Sequence, residues 1–323
     1  MNGAFRQRVN LSMALMLLLI SQSSFASVGG WLFETNRSME AKIAGLEEKR
    51  LLVAGDHWQY YMKSSATDKT KHDTCTVLIH GFTAEASHWF RFARHLEHDA
   101  CVIIPDLPGF GRSTYLASAD YSIATQVQRL HQFLDQLQLS DRYHFSGSSM
   151  GGHIAGLYAV QFPSEVASLT LIDSGGVSSP VKSEMDLQVE ETGKSVFEVE
   201  SINDFETLFE MTLSDPPWMP GIVLNHVGRG AIDRTNRHRS IFSQIYQKDL
   251  LDELLGDIQS PTLIMWGQED RLLHLSMAEV FNQGIKGSKL ILLPNAGHLP
   301  FLEIPADTAG LFNQFIANQL VSE

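Results

Sequence analysis

The segment Gly147-Ser148-Ser149-Met150-Gly151 carries the clearest chemical signal in the sequence. An apolar, strand-like run precedes this segment directly, and a run with helical periodicity follows it directly. Glycines two residues before and two residues after Ser149 permit a tight turn from strand to helix, which exposes the serine hydroxyl at the start of the helix. A Gly/Ser-rich loop without a chemical role would not need this flanking strand and helix. We therefore predict that Ser149 is a nucleophile.

A serine hydroxyl is a poor nucleophile until a base removes its proton, so a histidine partner is expected. Thirteen histidines are present, so the candidate base must be selected by its place relative to the predicted strands and helices. His298 lies in a turn between the last predicted strand and the final predicted helix, at the sheet edge to which Ser149 also points. His298 is therefore the predicted base. The acid that orients it should follow an earlier strand, and Glu269, Asp270 and Asp173 all lie at such positions.

Negative charge that develops on a substrate carbonyl oxygen needs N–H groups already aimed at it. The backbone N–H of Met150, directly after the predicted nucleophile, is one such donor. The loop His80-Gly81-Phe82-Thr83 follows another strand-like run, and we predict that the N–H of Phe82 is the second donor. His80 is predicted to hold this loop by hydrogen bonds and not to act as a base.

Short β-branched runs alternate with helix-period runs along the chain, which indicates a parallel sheet covered by helices on both faces. The predicted strands are 58–62, 76–80, 102–105, 143–148, 168–172, 262–266 and 289–293. The predicted helices are 88–96, 123–137, 150–161, 275–285 and 307–320, and 39–52 is a charged amphipathic stretch. Residues 176–257 keep helical periodicity without a clear strand, which predicts a helical cap between the core segments 27–175 and 258–323.

Charge and composition exclude some classes of function. The formal net charge is −13, from 24 Lys and Arg against 37 Asp and Glu, and no Lys/Arg-rich run is present. Nucleic-acid binding needs clustered cations, so it is set aside. Neither cysteine has a partner at metal-ligand spacing, and no metal site is predicted. Apolar residues at 44% and charged residues at 19% are globular proportions.

Residues 1–26 have the three parts of a secretory signal. Two arginines near the start precede a mostly apolar run, 11–20, and small residues before Ser27 fit a cleavage site after Ala26. The apolar run is shorter than the roughly 20 residues that span a bilayer. We predict an exported protein, periplasmic or secreted. The alternative is an uncleaved N-terminal membrane anchor, helped by the apolar residues 31–33.

Export places the two cysteines in an oxidising compartment, where a pair favours a disulfide. Cys75 and Cys101 each lie five residues before the functional end of a predicted strand, at His80 and Asp106. If the two strands are parallel neighbours, their spacing of about 4.8 Å suits a disulfide. The alternative is that both cysteines are small buried apolar residues.

Taken together, these motifs resemble the α/β-hydrolase family over essentially the whole chain after the N-terminal segment. The likeness is carried by 80–82, 106–113, 147–151, Asp270 and His298. A closer similarity, to cold-adapted bacterial lipases and membrane-anchored monoacylglycerol lipases, is carried by 147–152, 171–176 and 215–220.

The resemblance implies an eight-stranded, mostly parallel sheet with a helical cap after the sixth strand. It also implies Asp270 as the acid of the triad, and hydrolysis of carboxylic esters without a cofactor. Asp173 is kept as a second candidate acid, because some hydrolases of this architecture take their acid from the earlier strand.

The expected reaction is acyl transfer from an ester or lipid to water, with Ser149, His298 and Asp270 as the triad. No obligate protein partner is expected, and the cap is expected to touch a lipid interface transiently. Six apolar cap residues are candidates for an acyl pocket, with Trp218 and Met219 predicted to touch substrate; the set is Phe205, Phe209, Met211, Trp218, Met219 and Ile222.

Three alternatives stay open. An aminopeptidase would need acidic cap groups to hold a substrate ammonium, and Glu184, Asp186, Glu190 and Glu191 offer them. Carbon–carbon hydrolysis could use the same triad. A non-catalytic binding protein could use the same scaffold, although an intact Ser149, Asp270 and His298 set speaks against it.

Overall fold

The computed structural model describes residues 28–64, 72–97 and 101–320. Within these residues, eight strands form one sheet. They are β1 Glu47–Val53, β2 Asp56–Ser64, β3 Cys75–Ile79, β4 Cys101–Pro105, β5 Tyr143–Ser148, β6 Val166–Ile172, β7 Thr262–Gly267 and β8 Lys289–Leu293. Their spatial order is β1-β2-β4-β3-β5-β6-β7-β8, and only β2 is antiparallel to its neighbours. The predicted eight-stranded, mostly parallel sheet is confirmed.

Helices cover both faces of this sheet. They are α1 28–43, α2 Phe90–Ala93, α3 Ile123–Leu137, α4 Met150–Gln161, α9 Ser276–Gly284, α10 Pro300–Glu303 and α11 Pro305–Leu320. On strand β3, Val77 and Ile79 pack into the core with α3 and α4, while Leu78 packs into the core with α2 and α11. Because both faces of the strands are buried, they read in the sequence as nearly continuous apolar runs.

Strand β1 was not predicted, because residues 39–52 read as one charged amphipathic stretch. The structure ends a helix at residue 43 and begins β1 at Glu47. β1 pairs only with β2, so it is an edge strand, and its first four residues are all charged. Charged side chains on an exposed edge protect it from pairing with other chains, and they also remove the apolar signal by which a strand is found.

Four helices lie between β6 and β7, where the cap was predicted. They are α5 Glu184–Thr192, α6 Ile202–Thr212, α7 Gly221–Asp233 and α8 Thr235–Ile245. Ser183 and Ser201 cap α5 and α6, and each side chain accepts the N–H of the residue three positions later. The boundaries 176–257 stay a prediction.

Helix α1 packs against the cap and not only against the core. A Cβ added at Gly29 would lie 2.4 Å from the carbonyl oxygen of Ile222, so the first turns of α1 and α7 are in close contact. Phe33 of α1 also lies 6.0 Å from the ring of His226 on α7. In the described part of the chain, no helix has both the length and the apolar character needed to cross a bilayer. The predicted signal, residues 1–26, lies outside the described residues.

Cys75 and Cys101 are the first residues of the neighbouring parallel strands β3 and β4. Thr76 and Val102, the next residue on each strand, are opposite each other in the sheet. The two cysteine Cα atoms lie 4.8 Å apart, their sulfurs are bonded at 2.04 Å, and both residues are fully buried. The disulfide therefore links two central strands at the edge of the sheet opposite to the loops that follow β3, β5, β6 and β7.

Candidate active site

Strands β3, β5, β6 and β7 are parallel, so the loops after them leave the same edge of the sheet. Ser149 connects β5 to α4 with φ 55° and ψ −122°, a conformation that residues with a side chain rarely adopt. A Cβ on Gly147 would lie 2.2 Å from the carbonyl oxygen of Gly151, and a Cβ on Gly151 would lie 2.2 Å from that of Ile79. Glycine is thus required at both positions of the turn.

Backbone hydrogen bonds hold Ser149 in this strained conformation. Its N–H donates to the carbonyl oxygens of Ile172 and Asp173, both at 3.1 Å. Its own carbonyl oxygen accepts the N–H of Gly175 at 3.0 Å and that of Gly152 at 3.0 Å. Strain of this kind persists only where the surroundings fix it, and it is concentrated at functional sites.

His298 and Asp270 form a buried pair. Nδ1 of His298 lies 2.7 Å from Oδ2 of Asp270, and the two side chains are 5% and 0% exposed. The other carboxylate oxygen of Asp270 accepts the N–H groups of Leu272 at 2.8 Å and Leu273 at 3.0 Å. Because an ionised Asp270 only accepts, the Nδ1 of His298 carries the proton and Nε2 is left as a proton acceptor. The ring of His298 and Ser149 line the same cavity.

The second candidate acid, Asp173, lies beside this pair. Nearest polar atoms of Asp173, Asp270 and His298 are all within 4.8 Å of one another. Oδ1 of Asp173 accepts the N–H of Gly267 at 2.8 Å. Burial, and next the charge of Asp270, raise the pKa of Asp173 well above its usual range. The structure thus brings both candidate acids together, and the hydrogen bond of His298 is made to Asp270.

Two carboxylates and an imidazole are also a donor set that a divalent cation could use. The 2.7 Å contact between His298 and Asp270 is that of a direct N–H···O hydrogen bond. The other oxygen of Asp270 already accepts two backbone N–H groups. These contacts fit a proton between the groups better than a metal ion.

The loop 80–83 lies against the nucleophile. A Cβ added at Gly81 would lie 3.0 Å from Cβ of Ser149 and 3.7 Å from its Oγ. Phe82 and Met150 are buried and line the cavity that Ser149 faces. The N–H of Met150 is the first of helix α4, and such groups have no acceptor within their own helix. Both N–H groups predicted for the oxyanion are therefore close to Ser149, while their donation to a substrate stays a prediction.

His80 holds this loop by hydrogen bonds at both of its ring nitrogens, as predicted. The N–H of Leu107 donates to Nε2 of His80 at 3.0 Å, and Nδ1 donates to the carbonyl oxygen of Gly81 at 2.8 Å. Both ring nitrogens are thereby used by a neutral imidazole. Burial lowers the pKa of His80 to about 4, which makes the imidazole a weak base, and neither ring nitrogen is free to take a proton from Ser149.

A cavity of about 680 Å³ extends from Ser149 between the edge of the sheet and the cap. Most of its wall is apolar; examples are Phe82, Met185, Val189, Phe197, Phe242 and Leu272. The ring of Phe82 lies 5.0 Å from that of Phe197 and 5.7 Å from that of Phe242. Polar side chains are also part of the lining, among them Lys182, Asp186 and Glu190.

The structure does not bring Trp218 and Met219, which were predicted to contact substrate, to the cavity at Ser149, so that contact stays a prediction. Trp218 is 87% exposed, and neither residue lines the cavity. Phe205, Phe209, Met211 and Ile222 do not line it either. Phe205 packs against Gly228 of α7, so the apolar face of α6 is used for contact between cap helices.

The cap residues that do line the cavity lie on α5, on α8 and on the loops that flank them. Phe242 and Ile245 of α8, and Tyr246 directly after it, were not singled out in the sequence. A signal was present, because Ile241, Phe242, Ile245 and Tyr246 recur at the spacing of one helical face. Periodicity identified an apolar face but not which helix would turn that face toward Ser149.

Comparison with known proteins agrees with this geometry. A profile described as the alpha/beta hydrolase fold matches residues 77–305. The chain belongs to the α/β-hydrolase family, as the sequence motifs indicated.

Within this family, the chain is similar to three proteins that are named as lipases or as a phospholipase. The chain is 31% identical over 260 residues to monoacylglycerol lipase abhd6-A of Xenopus laevis, which covers 77% of each chain. It is 30% identical over 280 residues to lipase 3 of Moraxella sp. (strain TA144), covering 85% of this chain and 86% of that one. Among solved structures, a membrane phospholipase A described as a bacterial virulence factor superposes with a TM-score of 0.86 and 34% identity, over 97% of this chain and 99% of that one.

Proposed function

We propose that this protein is a serine hydrolase of carboxylic esters, acting on acylglycerols or other fatty-acyl esters. The observation that carries the proposal is one cavity lined by both Ser149, in its strained turn, and His298, bonded to Asp270. The lipase names of the similar proteins support the same class of substrate. No cofactor is part of the proposed reaction.

The proposed reaction has two halves. In the first, Ser149 Oγ attacks the ester carbonyl while Nε2 of His298 takes the hydroxyl proton, and Asp270 stabilises the imidazolium that forms. The N–H groups of Phe82 and Met150 donate hydrogen bonds to the carbonyl oxygen as negative charge develops on it. His298 then gives the proton to the leaving alcohol. In the second half, His298 activates a water that releases the acid from the acyl-enzyme.

The cavity supports a fatty-acyl chain as the acid part of the substrate. Its volume of about 680 Å³ lies within the roughly 300–1,000 Å³ of ordinary ligand pockets. Aromatic and aliphatic side chains of the core and of the cap form most of the wall. Burial of an alkyl chain against such a wall contributes about 0.8 kcal/mol per methylene group.

The contacts of the acidic cap residues favour an ester over a peptide substrate. Glu184 binds Arg271 at 2.7 Å, and Glu190 binds Lys182 at 2.5 Å. Asp186 accepts the hydroxyl of Tyr246 at 2.9 Å. A substrate ammonium group would have to displace these partners, whereas a neutral ester needs no acidic group.

The location of the protein is proposed from its first residues. Residues 1–26 are taken as an export signal that is removed before Ser27, with an uncleaved anchor as the alternative. Mass spectrometry of the protein after expression in a bacterial host separates the two. A mature chain beginning at Ser27 supports export, and a chain that keeps residues 1–26 in the membrane fraction supports the anchor.

An exposed apolar surface supports transient contact with lipid. Five side chains of α1 are exposed and share one helical face; they are Val28, Trp31, Leu32, Met39 and Ile43. The start of α1 packs on the start of α7, and the loop just before α7 carries the exposed Trp218. Tryptophan side chains are well suited to the boundary between water and lipid.

The lipid contact is tested with a W31S/W218S double variant and phosphatidylcholine vesicles. The variant is expected to bind vesicles more weakly while its hydrolysis of a soluble short-chain ester is retained. Equal vesicle binding by both proteins would remove this part of the proposal.

The central test is hydrolysis of p-nitrophenyl esters from acetate to palmitate by wild type, S149A and S148A. Ser148 is a matched control, because its buried hydroxyl has no hydrogen-bond partner among the described residues. We expect S148A to hydrolyse the esters and S149A to lose activity at least 10³-fold. A preference for the longer chains is expected. Hydrolysis by S149A at the wild-type rate would reject the proposal.

A further inference from the structure

We propose that Asp173 is a positioning residue: as a neutral carboxylic acid, it donates a hydrogen bond to the carboxylate of Asp270 and thereby fixes the acid of the triad. This role presupposes the function proposed above. It differs from the earlier alternative, in which an ionised Asp173 would itself be the partner of His298.

The surroundings of Asp173 require a proton on one of the two acids. Asp173 directly follows β6, is fully buried and has φ 43°, in the left-handed region. Its Oδ1 accepts the N–H of Gly267, but its buried Oδ2 finds no donor among the described residues. The carboxylate of Asp270 lies next to it. Oxygens of the two buried carboxylates lie within 4.8 Å of each other, and two carboxylates that share a buried site favour a proton on one of them.

The number of donors decides which acid is neutral. Asp270 accepts hydrogen bonds from Leu272, Leu273 and His298, which stabilise its charged form. Asp173 has one such donor, Gly267. The titratable groups that face Asp173 are Asp270, His298 and Glu303, and burial, followed by the negative charges of Asp270 and Glu303, raises its pKa. The proton therefore resides on Asp173.

Asp173 also contacts the nucleophile. Its carbonyl oxygen accepts the N–H of Ser149 at 3.1 Å, while its side chain adjoins Asp270. One residue thus connects the loop of the nucleophile to the loop of the acid. An ionised Asp173 would instead place a second negative charge beside Asp270 in a buried site, where like charges repel.

The test compares D173N with D173A by kinetics on a soluble p-nitrophenyl ester between pH 5 and 10. The carboxamide of Asn keeps an acceptor for Gly267 and an N–H donor for Asp270, whereas Ala keeps neither. We expect a kcat at least tenfold higher for D173N than for D173A, equivalent to about 1.4 kcal/mol of barrier, with similar KM values. The pH profile of kcat/KM should keep its wild-type shape in D173N and change in D173A, because the carboxylate of Asp270 loses a hydrogen-bond donor only in D173A.

Two outcomes would overturn the role of Asp173. Loss of activity in D173N as severe as in D173A would show that a neutral hydrogen-bond donor at this position does not preserve activity, against the proposed role. Wild-type pH profiles for both variants would show that the residue only supports the fold. Where D173A gives no folded protein, D173S takes its place, because its hydroxyl is too short to reach Asp270.

Two further measurements distinguish the proposed role of Asp173 from a metal site and from the proposed function of the triad. EDTA is expected to leave the wild-type profile unchanged, and a loss restored by a divalent cation would show that the cluster holds a metal and would overturn the proposal. The proposed function is judged separately by S149A. Activity in S149A would reject the triad itself, whatever the Asp173 variants do.

Discussion

Nδ1 of His298 lies 2.7 Å from Oδ2 of Asp270, although 28 residues separate them in the chain. The two residues follow β8 and β7, which are parallel neighbours at one end of the sheet. Leu272 and Leu273 hold the second oxygen of Asp270, so the carboxylate cannot rotate without losing two further hydrogen bonds. The sheet and this turn together set the imidazole's orientation toward the cavity.

Replacement of Asp270 by Asn should leave the fold intact and lower kcat by roughly 10³–10⁴-fold near neutral pH. An amide at this position stabilises the wrong tautomer of His298 and cannot stabilise the imidazolium. The measurement is ester hydrolysis together with circular dichroism. E269Q is the matched control, since Glu269 is exposed and bonds Ser214 of the cap. An equal loss in both variants would contradict the assignment of Asp270.

Gly151 tests the tight turn at the nucleophile. A Cβ at this position would lie 2.2 Å from the carbonyl oxygen of Ile79, so G151A must displace the backbone of β3 or α4. We expect little folded protein, or folded protein without activity. Gly175 is the control, because a Cβ there would meet Ser149 atoms at ordinary distances of 3.6 Å or more. A G151A protein with the melting temperature and activity of G175A would show that the turn is looser than described.

The disulfide is tested with the C75A/C101A double variant. The bond closes a loop whose ends are 26 residues apart, so its loss should reduce the free energy of unfolding by about 3 kcal/mol. Urea denaturation measures the difference. A reductant should lower the stability of the wild type and leave the double variant unaffected. Free thiols in unfolded, unreduced wild type would contradict the presence of the bond.

Asp106 should make the stability of the protein depend on pH. It is buried, and it accepts the N–H groups of Ala86 at 2.7 Å and Arg112 at 2.9 Å. Burial, and next the charge of Glu85, raise its pKa from 3.8 to about 7. Between these two values the native state binds more protons than the unfolded state, so stability falls as pH rises.

The comparison of wild type with D106N isolates this titration. The wild-type advantage in unfolding free energy should decline between pH 4 and 7 by at most about 1.4 kcal/mol per pH unit, and then level off. Urea denaturation at several pH values measures it. An advantage that grows with pH over this range would show that Asp106 is ionised in the native protein.

The sequence predicted best those elements whose signal is local. Residues 143–148 and 123–137 were predicted with the bounds that the structure has, because the strand is buried on both faces and the helix is amphipathic. Ser149 was recognisable because a tight turn constrains its immediate neighbours. By contrast, β1 has a charged, exposed edge, and its apolar signal is weak.

Contacts between distant segments could not be read from local patterns. The six apolar cap residues named from periodicity do not line the cavity, since the same apolar pattern serves packing between cap helices. Asp173 was named only as an alternative acid. Its position beside Asp270 depends on the register of β6 and β7, in which Ile172 is opposite Met265.

The most direct test of the proposed mechanism is covalent labelling by a fluorophosphonate, which reacts with activated serine hydroxyls. Peptide mass spectrometry after labelling should find one adduct, on Ser149, with ester hydrolysis lost in proportion to the adduct formed. S149A should remain unlabelled, and H298A should label far more slowly. An adduct on another residue, or full ester hydrolysis by protein labelled at Ser149, would contradict the account.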